Sequence, residues 1–152
     1  MKKVSILTFL FLIISVGYAF SQHKFALNAG YDYMQKHTGY LGAEYRIDSN
    51  RQEHTSHGPF NVGIGTYLYG QDGKFAVTPE IHLNKTWKHF IFTEISASTK
   101  NIKPSIGLTF FNLARLQFGY SFPLQQSDFK GFSVGFHILI GRAPFYDEMR
   151  VF

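Results

Sequence analysis

The residues that could do chemistry in this chain are few, and the first group is His54-Thr55-Ser56 with Glu53 beside it. Serine, histidine and a carboxylate are the nucleophile, base and orienting group of many acyl hydrolases. This stretch has no strand periodicity, and nothing in it orients the histidine or supplies oxyanion donors. We therefore interpret it as a polar turn and expect no catalytic residue there.

The other histidines give no stronger signal. His137 lies four residues after Ser133, and no acidic residue is close to it in sequence. We expect His137 to be a packed interior side chain. The chain contains no cysteine, and the spacing typical of a metal site is missing around His23, His37, His57 and His89. The glycines form no phosphate-binding loop, so we expect neither a metal nor a cofactor.

A third group consists of ionisable residues that alternate with apolar ones along the chain. Because an isolated buried charge is costly, such residues must pair if they share an interior. We predict a lumen charge network with the glutamates at its centre and Arg46 and Arg115 as counter-charges. A proton or ion path, or a buried acid–base pair, is the functional alternative to this polar filling. The set is Lys24, Asp32, Glu44, Arg46, Glu80, His82, Glu94 and Arg115.

Period-2 alternation of apolar and polar residues predicts the elements that hold this network. Each segment is about ten residues long, which is the length that a tilted membrane-spanning strand needs. Asp72-Gly73 is typical of a tight hairpin turn, and the longest connection is 48–58. Pro79 removes a ladder hydrogen bond, so we expect a bulge or a shortened strand there. The eight predicted strands are 24–34, 38–47, 59–69, 74–84, 88–98, 103–111, 114–123 and 131–141.

Two features indicate that the apolar face points outward. The alternation produces many more bulky apolar side chains than the roughly dozen that fill an eight-stranded interior. Mid-strand glycines, such as Gly63 and Gly107, lie on the polar face, where they would leave room for long polar neighbours. We therefore predict an all-β fold, a closed antiparallel up-and-down transmembrane β-barrel of about eight strands with short loops. Closure satisfies every backbone polar group in lipid.

The start of the chain predicts export. Lys2 and Lys3 precede the uncharged, mostly apolar run 4–16, and small residues follow it. We expect a cleaved signal peptide over 1–21, with cleavage near Ala19 or Ser21, because the run is too short to span a bilayer. The barrel would then occupy 22–141 and a C-terminal tail 142–152. Without the two lysines, 13 basic and 10 acidic residues remain, which is no nucleic-acid signature.

The mature chain resembles the small outer-membrane barrels of the OmpA/OmpX type. Its last predicted strand carries the polar, glycine and hydrophobic pattern of their insertion signal, at Ser133, Gly135, Ile138 and Ile140. The resemblance implies location in the outer membrane of a Gram-negative bacterium and insertion by the barrel-assembly machinery. It also implies contact with outer-membrane lipids and lipopolysaccharide. Eleven residues follow Gly141 here, whereas these families usually end on an aromatic residue of the last strand.

These patterns favour a non-enzymatic, porin-like envelope protein with a structural or surface-interaction role and no open pore. Lysines of the predicted outer loops would attract lipopolysaccharide phosphates, unless they are ordinary solvated loop residues. Two other classes stay open. One is a lipid-modifying barrel enzyme resembling lipopolysaccharide acyl hydrolases, and the other is a soluble periplasmic β-barrel that binds a small apolar ligand. The lysines are Lys36, Lys74, Lys100, Lys103 and Lys130.

Overall fold

The computed structural model describes residues 24–47, 57–87, 90–110, 112–124, 128–141 and 145, with only the backbone at 57–59. Within these residues it contains eight β-strands and no helix. The predicted signal peptide and most of the predicted tail therefore lie outside the described residues. The strands are β1 Phe25–Tyr33, β2 His37–Arg46, β3 His57–Gln71, β4 Lys74–Trp87, β5 Ile91–Ser98, β6 Asn101–Phe110, β7 Ala114–Pro123 and β8 Gly131–Gly141.

Each strand pairs antiparallel with the next, and β8 pairs with β1, which closes the sheet into an up-and-down barrel. The predicted fold class is confirmed. The Asp72-Gly73 turn between β3 and β4 has positive φ at both residues (51° and 73°), as the twist of a tight hairpin requires. We call the end with this turn the turn end, and the end at which β1 begins and β8 finishes the terminal end.

Side chains alternate between a polar interior and an apolar exterior. β6 shows this in its simplest form, because its residues are buried and exposed in strict succession over ten positions. Large apolar side chains from every strand stand on the outer surface, such as Leu27, Leu41, Ile64 and Ile81. The predicted orientation of the two faces is therefore confirmed for the described residues.

The expectation of a bulge or a shortened strand at Pro79 is wrong. β4 runs through this residue in continuous register with β3, and Pro79 lies opposite Thr66. The pairing of β4 with β5 begins only at Glu80, so Pro79 lies beyond the end of β5 and no partner there needs its missing N–H. The irregularity in β3 occurs instead between His57 and Phe60.

Several inward glycines are packed directly against long polar side chains. A Cβ atom at Gly63 would lie 2.1 Å from His82 Nε2, and one at Gly65 would lie 2.1 Å from the Tyr40 hydroxyl. Such contacts are too short for any real Cβ atom. The glycines therefore create the space that the interior network occupies.

Apolar clusters lie at both ends of the lumen. Met34, Tyr40, Tyr67, Tyr69 and Phe129 form one at the turn end, where Phe129 packs edge-on against Tyr69 at 4.8 Å between ring centroids. At the terminal end, Phe145 packs with Ala26 and Leu139 and is 1% exposed. The polar network lies between these two clusters.

Candidate functional site

The first centre of the network is Glu44 of β2, which is completely buried. Its Oε1 accepts hydrogen bonds from Arg115 Nη1 at 2.7 Å and from Asn28 Nδ2 at 2.8 Å, and its Oε2 accepts one from Asn84 Nδ2 at 3.1 Å. The Arg115 guanidinium also lies 5.3 Å from the centroid of the Phe92 ring. The charge of Glu44 is thus compensated by a cation from the opposite side of the barrel.

The second centre is Asp32 of β1, which is also completely buried. Its Oδ1 accepts hydrogen bonds from Lys103 Nζ and Gln117 Nε2, both at 2.9 Å. His137 Nε2 lies 2.8 Å from Oδ2. Strands β6, β7 and β8 therefore all contribute a partner to this one carboxylate.

The third carboxylate, Glu80 of β4, has a histidine and a tyrosine as partners. The Tyr40 hydroxyl donates to Glu80 Oε2 at 2.8 Å, and His82 Nδ1 lies 3.2 Å from Oε1. His82 Nε2 points the other way and lies 3.3 Å from Glu44 Oε1. His82 thereby connects Glu80 to the first centre.

Asn28 connects the first two centres. Because its amide nitrogen donates to Glu44, its amide oxygen is free to accept from His137 Nδ1, at 3.0 Å. Hydrogen bonds through Asn28 and His137 thus join Glu44 to Asp32, and the charge contact between His82 and Glu44 brings Glu80 into the same network across the lumen. Such a network can neutralise buried charge and hold opposite walls of the barrel together.

Of the eight ionisable residues of the predicted set, Lys24 is half-buried just before β1, and the structure places the other seven on the lumen face. Asp32, Glu44, Glu80, His82 and Arg115 are buried, whereas Arg46 and Glu94 are only half-buried and lie nearer the margins. Sequence reasoning did not assign Asn28, Tyr40, Asn84 or Gln117 a role in the network. All four lie on the polar side of the predicted alternation, and this position is the signal from which their role could have been predicted.

Lys103 is a correction to the sequence analysis. It was expected among the rim lysines, but it is 1% exposed and pairs with Asp32 inside the lumen. β6 begins at Asn101, two residues earlier than predicted, so Lys103 lies inside the strand and not at its first position, next to the predicted loop. Lys103 lies two residues before Ser105 and four before Gly107, so its side chain points to the same inward face as those residues.

The other four rim lysines are at the turn end. The ammonium groups of Lys36 and Lys100 each lie 5.2 Å from the centroid of the Tyr69 ring, at the edge of the aromatic cluster. Lys36 also forms an ion pair with Asp128 at 3.0 Å. Lys74 and Lys130 are exposed.

The Lys36 contact has an electrostatic consequence outside the strands. Its ammonium group donates a hydrogen bond to Asp128 and lowers the pKa of that carboxyl below its ordinary value. Asp128 therefore remains ionised, and the ion pair remains formed, at any pH near neutrality.

The structure brings together no hydrolytic set among the residues it describes. Both ring nitrogens of His137 are already engaged, by Asp32 and Asn28, and His54 and Ser56 lie outside the described residues. No group of three or more metal-ligating side chains occurs in the described part of the chain. That part also contains no helix long and apolar enough to cross a membrane.

Comparison with protein-family models, with curated proteins and with solved structures finds no match to this chain.

Proposed function

We propose that this protein is an integral outer-membrane β-barrel with a structural or surface-interaction role, whose lumen is filled by a charge network. One observation carries the proposal: exposed apolar side chains stand on the outer face of all eight strands, while most charged side chains of the described strands lie inside. In water this arrangement would expose a continuous apolar surface, which monomeric soluble proteins rarely do. In a bilayer the same arrangement is favourable.

The height of the apolar surface supports this proposal. On β6 the outward row runs without a charge from Ile102 to Phe110, over nine residues. At about 3.4 Å per residue step and a tilt of about 40°, such a row spans roughly 21 Å along the barrel axis. This is close to the apolar band of about 25 Å that outer-membrane barrels present to lipid.

Aromatic residues at both margins of this surface add support. At the turn end, the Tyr120 ring lies 4.8 Å from Phe122 and 5.4 Å from Phe132. At the terminal end, Phe25 packs against Tyr45, and Trp87 Nε1 donates to Thr93. Aromatic side chains flank the apolar band of outer-membrane barrels in this way.

Fractionation of cells that express the chain tests the proposal. The protein should sediment with outer membranes, resist extraction by salt or alkali and dissolve only in detergent. On a gel it should migrate faster unheated than boiled, because a closed barrel stays folded in detergent. Recovery from the periplasm without detergent would contradict membrane insertion and favour the soluble, ligand-binding barrel.

We extend the proposal to a partner, the phosphate groups of lipopolysaccharide. Lys74 and Lys130 are exposed at the turn end, which would face outward if the termini are periplasmic, and cations attract anionic headgroups. Replacing both by glutamine should reduce the lipopolysaccharide that copurifies with the barrel. Lys85→Gln at the terminal end is the matched control. Equal amounts with all variants would contradict this partner.

A strain that overexpresses the protein distinguishes the enzymatic alternative from the structural role. A barrel with a structural role leaves the acyl-chain pattern of lipid A unchanged, whereas a lipid-modifying enzyme alters it. Mass spectrometry of lipid A from strains with and without the protein measures this difference. A lost or added acyl chain would contradict the structural role.

A further inference from the structure

We propose that His82 is a proton-dependent lock of the lumen: as an imidazolium it joins Glu80 to Glu44, and its deprotonation opens the network. The ring is 3% exposed and lies between the two carboxylates, with Nδ1 toward Glu80 and Nε2 toward Glu44. The inference deepens the proposed function, because it concerns how the filled lumen is kept closed.

The geometry of the ring supports the charged form. A neutral imidazole carries a proton on only one nitrogen. Either neutral tautomer of His82 would therefore direct a lone pair at a carboxylate oxygen, over 3.2 Å toward Glu80 or 3.3 Å toward Glu44. The imidazolium has an N–H on each side: Nδ1 hydrogen-bonds Glu80, whereas Nε2, which lies 3.3 Å from Glu44 Oε1 without forming a hydrogen bond, places positive charge beside that carboxylate.

The distribution of cations makes the proton at His82 necessary. The buried carboxylates are Asp32, Glu44 and Glu80, and the permanent buried cations paired with them are Lys103 and Arg115. Lys103 pairs with Asp32, and Arg115 pairs with Glu44. Glu80 therefore depends on His82 for its positive partner, with the Tyr40 hydroxyl as its other hydrogen-bond donor.

The groups around His82 favour the same interpretation. The half-buried Glu94 of β5 is near enough to interact with the ring electrostatically. On β2, the Tyr40 hydroxyl oxygen lies 3.2 Å from Nδ1. On β3, Gly63 holds no side chain and the ring lies against its backbone. Glu80, Glu44 and Glu94 thus supply negative charge around the ring, and Arg115 shares Oε1 of Glu44 with it.

Loss of the proton leaves Glu80 as a buried charge without a cation. Such a charge must take up a proton or be hydrated, since neither the dry interior nor a hydroxyl alone compensates for it. The lock is therefore closed below the titration of His82 and opens as the pH rises through it. Entry of water at Glu80 would loosen the contact between β2 and β4 and raise the ion permeability of the lumen.

Ring ¹⁵N chemical shifts of the folded barrel in detergent give the direct test. We expect both nitrogens of His82 to be protonated at about pH 6. As the pH is raised, the imidazolium signal should disappear, and the unfolding temperature of the barrel should fall over the same pH range. A neutral tautomer of His82 at about pH 6 would overturn the proposal.

Substitutions test the dependence of Glu80 on the ring. His82→Gln should lower the unfolding temperature by roughly 10 °C at about pH 6 and remove most of its pH dependence. The double substitution Glu80→Gln with His82→Gln should recover stability, because it removes the orphaned carboxylate too. No recovery would overturn the proposal. His137→Gln is the control, since Asp32 keeps Lys103.

Conductance across planar bilayers separates this inference from the proposed function. The wild-type protein should show little conductance at about pH 6 and more above the titration of His82, whereas His82→Gln should conduct at both. If the protein inserts into no bilayer but His82 is protonated as expected, the membrane location is contradicted and the proposed role of His82 is not. Insertion with a conductance independent of pH would contradict the lock alone.

Discussion

Arg115 on β7 reaches across the lumen to Glu44 on β2, and its Nη1 donates to Oε1 over 2.7 Å. The two residues are 71 positions apart in the chain and on strands that are not neighbours in the sheet. This ion pair therefore links opposite walls of the barrel, which the backbone ladder alone does not do.

Arg115→Gln should destabilise the folded barrel by about 3–5 kcal/mol, because it leaves Glu44 buried without its permanent cation. Urea-induced unfolding of the barrel in lipid vesicles measures the difference. Adding Glu44→Gln should restore a large part of the loss. A double variant as unstable as Arg115→Gln would show that the guanidinium contributes by packing on Phe92 rather than by charge.

Gly63→Ala should lower the free energy of unfolding by roughly 1–3 kcal/mol, because the new Cβ would overlap the His82 ring and force it from its position. Gly70→Ala is the matched control in the same strand, since nothing lies within 4 Å of a Cβ there. We expect its effect to stay within about 0.5 kcal/mol. If a denaturant titration gave Gly63→Ala and Gly70→Ala the same loss of unfolding free energy, the tight packing of the interior at Gly63 would be contradicted.

Ile64→Arg tests the surroundings of the outer face. Ile64 is on β3 with 65% of its side chain exposed, so in water the substitution should be nearly neutral. At the middle of a bilayer an arginine costs about 2–4 kcal/mol, falling to about 0–1 kcal/mol near the interfaces. Phe75→Arg at the turn end should therefore be milder. The free energy of unfolding from lipid vesicles distinguishes these outcomes. If Ile64→Arg left it unchanged, the result would count against contact of Ile64 with lipid.

The Asp128 carboxyl should titrate with a pKa below that of an unperturbed aspartate, because Lys36 stabilises its charged form. A lowered folded-state pKa means that the ion pair contributes above the unfolded pKa and is lost as the pH falls through the folded one. Carboxyl ¹³C shifts measured against pH give this value. Lys36→Gln should raise the pKa toward that of an unperturbed aspartate, and an unchanged value would contradict the contact.

Alternation predicted the strands well where the apolar and polar positions are regular. It placed β7 and β8 with the bounds that the structure gives, whereas β4 ends three residues later and β6 begins two residues earlier than predicted. The boundary error had a consequence at Lys103, since a lysine at a strand end resembles a loop residue. Pro79 was misjudged for another reason: whether a proline interrupts a ladder depends on the length of the neighbouring strand.

The sequence by itself determined the strand number and, for most strand residues, the face on which each lies, and hence most of the side chains that share the interior. These properties are local, because the side-chain direction in a strand reverses at every residue. Only the tertiary structure decided which interior charges meet, since closure and register bring together residues such as Lys103 and Asp32 from non-adjacent strands. No spacing along the chain encodes that contact.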